Sequence, residues 1–375
     1  MTIERTEGTI LRSLYIFVGV LILGLMVQTT LWLVFPVADE AWWATDAGKV
    51  ASGITLTPAV ITYVHPGTTI LYPMAALIQH GVEPKMAVRI VMATFVALST
   101  ALIALVAYRL RPQSLWWLAA ALILIPDLRL LHATPPSTAA SLLTVLFVHL
   151  FVYAHKGGKK NYRPLIYLGV CAGLLAATRF DTAAFLCITA APLLVRRFRT
   201  RLMVAVVCAA VVFVLGNPHL WGQPLHYLMS IPHQILSNNV LVGPYIVGTF
   251  LITFPWAILS IILSVVSVQF LNVTSDEVGV PNALYRWLAG ATVLFTALLA
   301  PLSFHPVRYF LPLYLTWDIL LPLWLYALAR HYLPLARLPQ LTERRVEWLV
   351  IGCIVVIQCA RLLILLTADT REIIL

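Results

Sequence analysis

Charge is what this 375-residue sequence has least of. Asp, Glu, Lys and Arg make up 11% of it, against roughly a quarter in soluble domains, and no polar block is long enough to fold apart from the rest. Acids are scarcer than bases, 15 against 25, for a net charge of +10. That shortage excludes a soluble globular class, and with it nucleic acid as the reason for the positive balance. Cysteine is scarce as well. Cys171, Cys187, Cys208, Cys353 and Cys359 all lie in apolar runs, are odd in number and form no C-x-x-C. They read as structural thiols, with no disulfide framework or cysteine metal site. The histidines show no H-x-x-x-H or H-E-x-x-H spacing, so no metal centre or other cofactor is expected and no divalent cation is indicated. No internal repeat is visible.

What is present is apolar. Hydrophobic residues reach 61% and the mean hydropathy is +0.91, the composition of a polytopic membrane protein. The first apolar run, residues 13–35, is longer than a signal-peptide core and has no A-x-A site after it, so it reads as a retained span. About 20 apolar residues cross a bilayer, fewer inside a bundle. By that measure spans are predicted near 13–35, 86–108, 114–131, 137–154, 164–178, 182–195, 202–216, 246–269, 286–303, 309–329 and 346–367.

One segment, "HPGTTILYPMAALIQHG" at 65–81, is ambiguous. If it does not cross, the basic stretches "YRLRPQ", "HKGGKKNYR", "RRFRTR" and "RHYLPLARLPQLTERR" all fall on one side, which the positive-inside rule makes cytoplasmic. If it crosses, every later loop flips and the N-terminus disagrees. It is therefore expected to lie in the interface. The expected fold is an all-α polytopic membrane protein, one transmembrane domain over 1–375 with about eleven transmembrane helices. The N-terminus is inside, the C-terminus outside, and the location is the plasma or inner membrane. Interfacial helices fall in the first extracytoplasmic loop, 36–85, and a second large one covers 217–245.

This topology gathers polar residues on the outside. The first loop carries Asp39, Glu40, Asp46, Lys49 and His65; "PDLRLLHATPP" adds Asp127, Arg129 and His132; "ATRFDTAAF" adds Arg179 and Asp181. The long loop holds His219, His226 and His233, and "FHPVRYFLP" supplies His305 and Arg308. Arg179 and Arg308 sit tight against apolar spans. Charge at that depth is expensive and faces either an internal partner such as Asp181 or a functional cavity. The sequon at Asn272 falls in an expected cytoplasmic loop and reads as chance.

Several short motifs, in order over about residues 10–330, together resemble the GT-C glycosyltransferases, especially the protein-mannosyltransferase and aminoarabinose-transferase branch. "PVADEAWWATDAGKVASG" is similar to that family's Asp-Glu opening after the first span, and "HPGTTILYPMAALI" to its His-Pro segment. "GVCAGLLAATRFDTAAFL" resembles a stretch in which Arg179 takes the place of a lysine, and "HPVRYFLPLY" its Arg-Tyr-x-x-Pro ending. "HATPPSTAA" departs from it, with Pro135 and Pro136 where an acid is frequent.

The resemblance implies an inverting transferase that takes a sugar from a polyprenyl-phosphate carrier to a glycan, lipid or protein acceptor outside the cytoplasm, within the membrane lipids. It implies Asp39 as the base, Glu40 orienting acceptor or base, and Arg179 and Arg308 on the lipid phosphate. His65, His305, Asp46 and Arg129 are the further candidates for substrate binding. Two other readings stand beside it. A secondary transporter is polytopic with a few buried charges, although such proteins carry repeats and polar groups near the midplane. A scaffold or flippase subunit keeps the fold without the activity.

Overall fold

The computed structural model describes residues 2–34, 37, 39–54, 68–157, 161–218, 225, 254–270, 281–299, 306–332 and 343–367. Among these it is helical throughout, with no strand. Apolar runs with every backbone group satisfied inside the segment are what a bilayer permits, and helices meet that demand. Six stretches are long and apolar enough to cross: Thr9–Leu33, Pro84–Leu110, Pro135–Lys156, Phe180–Gly216, Tyr309–Ala329 and Arg344–Leu363. Length and composition thus give a multi-helix membrane protein.

Helix α1 (Thr2–Val34) packs along α4 (Pro84–Leu110), its Gly24 against Ala97. Between them come two 12-residue helices, α2 (Glu40–Ala51) and α3 (Thr68–Gln79). At 1.5 Å per residue α3 is about 18 Å long, well short of the roughly 30 Å hydrocarbon core. It buries Ile70, Leu71 and Met74 against its neighbours α2, α4 and α8 (Arg163–Thr178). The expectation for 65–81 places it on the surface of the membrane; the described part is a short helix packed into the bundle.

The segment expected to span at 114–131 is two pieces. Helix α5 (Trp116–Leu124) has only 9 residues, and Pro126 and Asp127 separate it from α6 (Leu128–His132). The single run seen in the sequence therefore stops partway through the bundle. Pro135 and Pro136 then open α7 (Pro135–Lys156), where a missing N–H costs nothing because the first turn has no partner for it. Helix α7 is buried on nearly every side and forms the centre of the fold.

Helix α9 (Phe180–Phe198) follows α8 across one extended residue, Arg179. A turn at Arg199, φ 50, leads through Arg199–Arg201 to α10 (Leu202–Gly216). The long stretch Phe180–Gly216 is therefore two helices. Gly169 on α8 faces Ala205 on α10, Gly173 faces Ala209, and Ala177 meets Gly216, so the two run in the same direction. A Cβ at Gly173 would stand 2.6 Å from the Ala209 carbonyl. Small residues four apart let membrane helices approach this closely.

The remaining helices among the described residues are α11 (Pro255–Phe270), α12 (Asn282–Leu299), α13 (Pro306–Tyr332) and α14 (Glu343–Thr367). Helix α13 lies beside α7 and shares its burial, while α1 and α14 expose apolar faces such as Met26, Leu33 and Val356, as helices bordering lipid do. The start of α2, the end of α8 and the start of α13 define what is here termed the Asp39 end; the loops after α4 and α7 define the basic end.

Candidate functional site

The Asp39 end is built from helix termini. Asp39 precedes α2 with φ 56 and ψ 24, in the left-handed region that non-glycine residues seldom enter. Its carbonyl accepts the N–H groups of Trp42 and Trp43 at 3.0 and 3.1 Å. Its side chain is partly exposed and makes no cap hydrogen bond to α2. The adjacent Glu40 is buried. Arg89, in the second turn of α4, donates to both its oxygens, from Nε at 2.5 Å and Nη2 at 3.1 Å. This fork on a carboxylate ties the first turn of α2 to α4. Asp46, on the inner face of α2, accepts from Lys49 Nζ at 2.9 Å. The two neighbouring acids of the Asp-Glu opening thus have different surroundings: one is clamped, the other stands at the helix head.

Helix α3 carries this region to α8, where the hydroxyls of Thr69 and Thr178 share a hydrogen bond of 2.6 Å. The next residue is Arg179. It is 2% exposed, and three groups surround its guanidinium. Asp181 accepts from Nε and Nη2 at 3.1 Å, the Ser137 hydroxyl at the start of α7 accepts from Nη1 at 2.7 Å, and the Tyr309 ring lies 4.3 Å away. Burial works against this charge, but Asp181 and Tyr309 outweigh it, so the guanidinium holds its proton more firmly than usual. The Asp181 side chain is 34% exposed, in contrast to the guanidinium it faces. Tyr309 immediately follows Arg308 in the first turn of α13. His65 and His305 lie outside the described residues, as does the Arg308 side chain and almost all of the 217–245 loop.

Arg129 belongs to a second cluster. It donates to both oxygens of Asp127 and to Asp318 Oδ2, and its guanidinium lies 5.5 Å from the Phe254 ring. Arg361 approaches Asp127 at 3.9 Å and donates to Gln358 at 3.4 Å. Asp127, Arg129 and Asp318 are buried. Asp318 is twelve residues into the 27-residue α13, about 18 Å from its start. The charges of this chain therefore do not gather at one face alone. Sequence reading missed Asp318, which sits singly in an apolar run. The available signal was that an acid amid such a run is costly and needs a partner. Asp318 Oδ1 has no hydrogen-bond partner and borders a cavity of about 60 Å³ between α11, α13 and α14.

Compared with protein-family models, curated proteins and solved structures, the chain matches none.

Proposed function

We propose that the chain is an inverting glycosyltransferase with a GT-C-type bundle of about eleven crossings, moving a sugar from a polyprenyl-phosphate carrier to an acceptor at the Asp39 end. In this reading that end faces outside the plasma or inner membrane. The observation that carries it is Asp39. A non-glycine residue held at positive φ stores backbone strain, and such residues concentrate at sites where geometry serves chemistry. Asp39 is such a residue, partly open to water, at the helix head where the chain leaves α1.

The Asp39 carboxylate takes the proton of the acceptor hydroxyl as that oxygen attacks the anomeric carbon. The bond from that carbon to the phosphate oxygen breaks, and its electron pair leaves with polyprenyl phosphate. The leaving group is a stable anion and needs no acid, so a single carboxylate suffices where a glycosidase uses two. Glu40, clamped by Arg89, fixes the first turn of α2 and so positions Asp39. Arg179, with Arg308 from the first turn of α13, takes the phosphate, a task suited to guanidinium groups. His65 and His305 donate near it.

The test is release of polyprenyl phosphate by purified protein given lipid-linked sugar and acceptor. Asn tolerates the left-handed region, so Asp39→Asn keeps the turn and removes the base. Turnover is expected to fall about 10²-fold or more, with carrier binding retained. Near-normal turnover in Asp39→Asn with a dead Glu40→Gln moves the role one residue along. Activity in the double variant ends the proposal.

One observation favours a transporter instead: the Asp127–Arg129–Asp318 cluster midway along α13, since transporters place polar groups there. Mass spectrometry of what copurifies separates the two. A lipid-linked sugar supports the transferase, and a water-soluble solute without lipid supports the transporter.

A further inference from the structure

Toward the basic end, α4, α7 and α8 enclose a cavity of about 380 Å³ that no residue of the proposed site touches. Each helix lines it with a stripe at helical spacing: Leu102, Leu105, Val106 and Arg109; Leu146, Leu150 and Tyr153; Tyr167, Val170, Cys171 and Leu174. Residues spaced three and four apart share one helix face, so the three stripes make a slot about two turns deep. Its polar residues all fall at one level. Arg109 is in the last turn of α4, Tyr153 in the last turn of α7 and Tyr167 in the second turn of α8. Arg109 is exposed, and among the described residues no ion pair or hydrogen bond engages it.

We propose that this slot binds an anionic phospholipid, one acyl chain between the three helices and the phosphate on Arg109. The apolar walls match a hydrocarbon chain. The cation with two phenols at the rim matches the headgroup level, where tyrosine and arginine concentrate. The negative headgroup is complementary to Arg109 and to the basic loops at this end of the bundle, and clustered basic residues there recruit acidic lipids. A zwitterionic lipid gains the walls and offers the same phosphate, but its own cation offsets the attraction to the basic end.

The experiment uses the full chain in nanodiscs with phosphatidylglycerol or phosphatidylcholine bearing a photoactivatable acyl chain, and cross-links mapped by mass spectrometry. The phosphatidylglycerol probe is expected to label 102–109, 146–153 and 167–174. Arg109→Gln is expected to lower that labelling about fivefold, the weight of one basic residue near an acidic headgroup, and to lower the phosphatidylcholine signal less. Val170→Trp, which fills the slot, is expected to abolish it, with size-exclusion behaviour and melting temperature as controls for folding. Equal labelling by both probes, no label in the slot, or labelling unaffected by Arg109→Gln would each overturn the proposal.

Discussion

Arg129 and Arg179 are both buried arginines paired to an aspartate two positions away in sequence, yet their surroundings differ. Arg129 is held between Asp127 and Asp318, both fully enclosed, about halfway along α13. Among the described residues Arg179 has one carboxylate, itself a third exposed, together with a hydroxyl and an aromatic ring. A guanidinium shared by two buried carboxylates has its charge cancelled from within the protein and binds helices together. One that meets a single part-exposed carboxylate and neutral groups has its charge less fully cancelled by the described residues, which is what the proposed phosphate role requires. Burial alone does not mark a ligand-binding arginine; the balance of charge around it does.

The comparison is most easily broken at Arg129. Arg129→Ala leaves two buried carboxylates with Arg361, 3.9 Å from Asp127, as their remaining cation among the described residues, and breaking a buried pair costs about 3–5 kcal/mol. The expected outcome is loss of monodisperse protein in detergent, or a steep drop in melting temperature. Adding Asp318→Asn is expected to recover much of it, because the carboxylate that remains, Asp127, keeps Arg361 beside it. A freely folding Arg129→Ala protein would show that water reaches this cluster.

Arg179→Ala sharpens the contrast from the other side. Asp181 is a third exposed and still accepts from the Thr182 N–H when Arg179 goes, so the stability cost is expected at about 1–2 kcal/mol, the scale of a lost charged hydrogen bond. Carrier binding is expected to fall about tenfold or more, since hydrogen bonds to charged groups contribute 1.5–3 kcal/mol. Arg179→Lys is expected to retain part of it. Equal destabilisation in Arg129→Ala and Arg179→Ala, with carrier binding unchanged, would make both arginines structural.

The third test concerns the close approach of α8 to α10, which sets where Arg179 stands. Gly173→Leu puts a side chain where the Ala209 carbonyl already lies, and overpacking of this kind costs about 1–3 kcal/mol. A lower melting temperature with weakened carrier binding is expected. Unchanged values for both would mean that α10 does not position α8.

Asp181→Asn should have the smallest effect. The amide oxygen still accepts from the buried Arg179 although the carboxylate charge is lost, so a cost of about 1 kcal/mol is expected, the scale of one hydrogen bond. Asp318→Asn changes a buried partner of the same kind of pair and is expected to lower the melting temperature more.

Much of the fold was legible because the bilayer demands it. Long apolar runs leave few structures besides helices, and α4, α7, α8 and α14 begin and end within a few residues of where hydropathy placed them, while α1 starts eleven residues before its apolar run. The break within 114–131 was not legible because hydropathy counts residues and not turns, and Pro126 with the cap at Asp127 cuts the run. Arg179 was conspicuous as a charge between two apolar runs. Glu40 was not, since nothing in "FPVADEAWW" announces a pairing with Arg89 49 positions on.

Composition and periodicity by themselves determined a helical membrane protein, its main apolar segments and the short list of polar residues that burial would make costly. Local chemistry also determined the caps and the proline starts, because those depend on neighbours in the chain. Tertiary structure alone decided which charge meets which. Asp318 reached Arg129 across 189 positions, Thr69 reached Thr178, and α8 packed parallel to α10. The reason is that a buried charge requires a partner but its sequence does not specify one. Only packing brings two distant carboxylates to one guanidinium and leaves another, among the described residues, with a single part-exposed one.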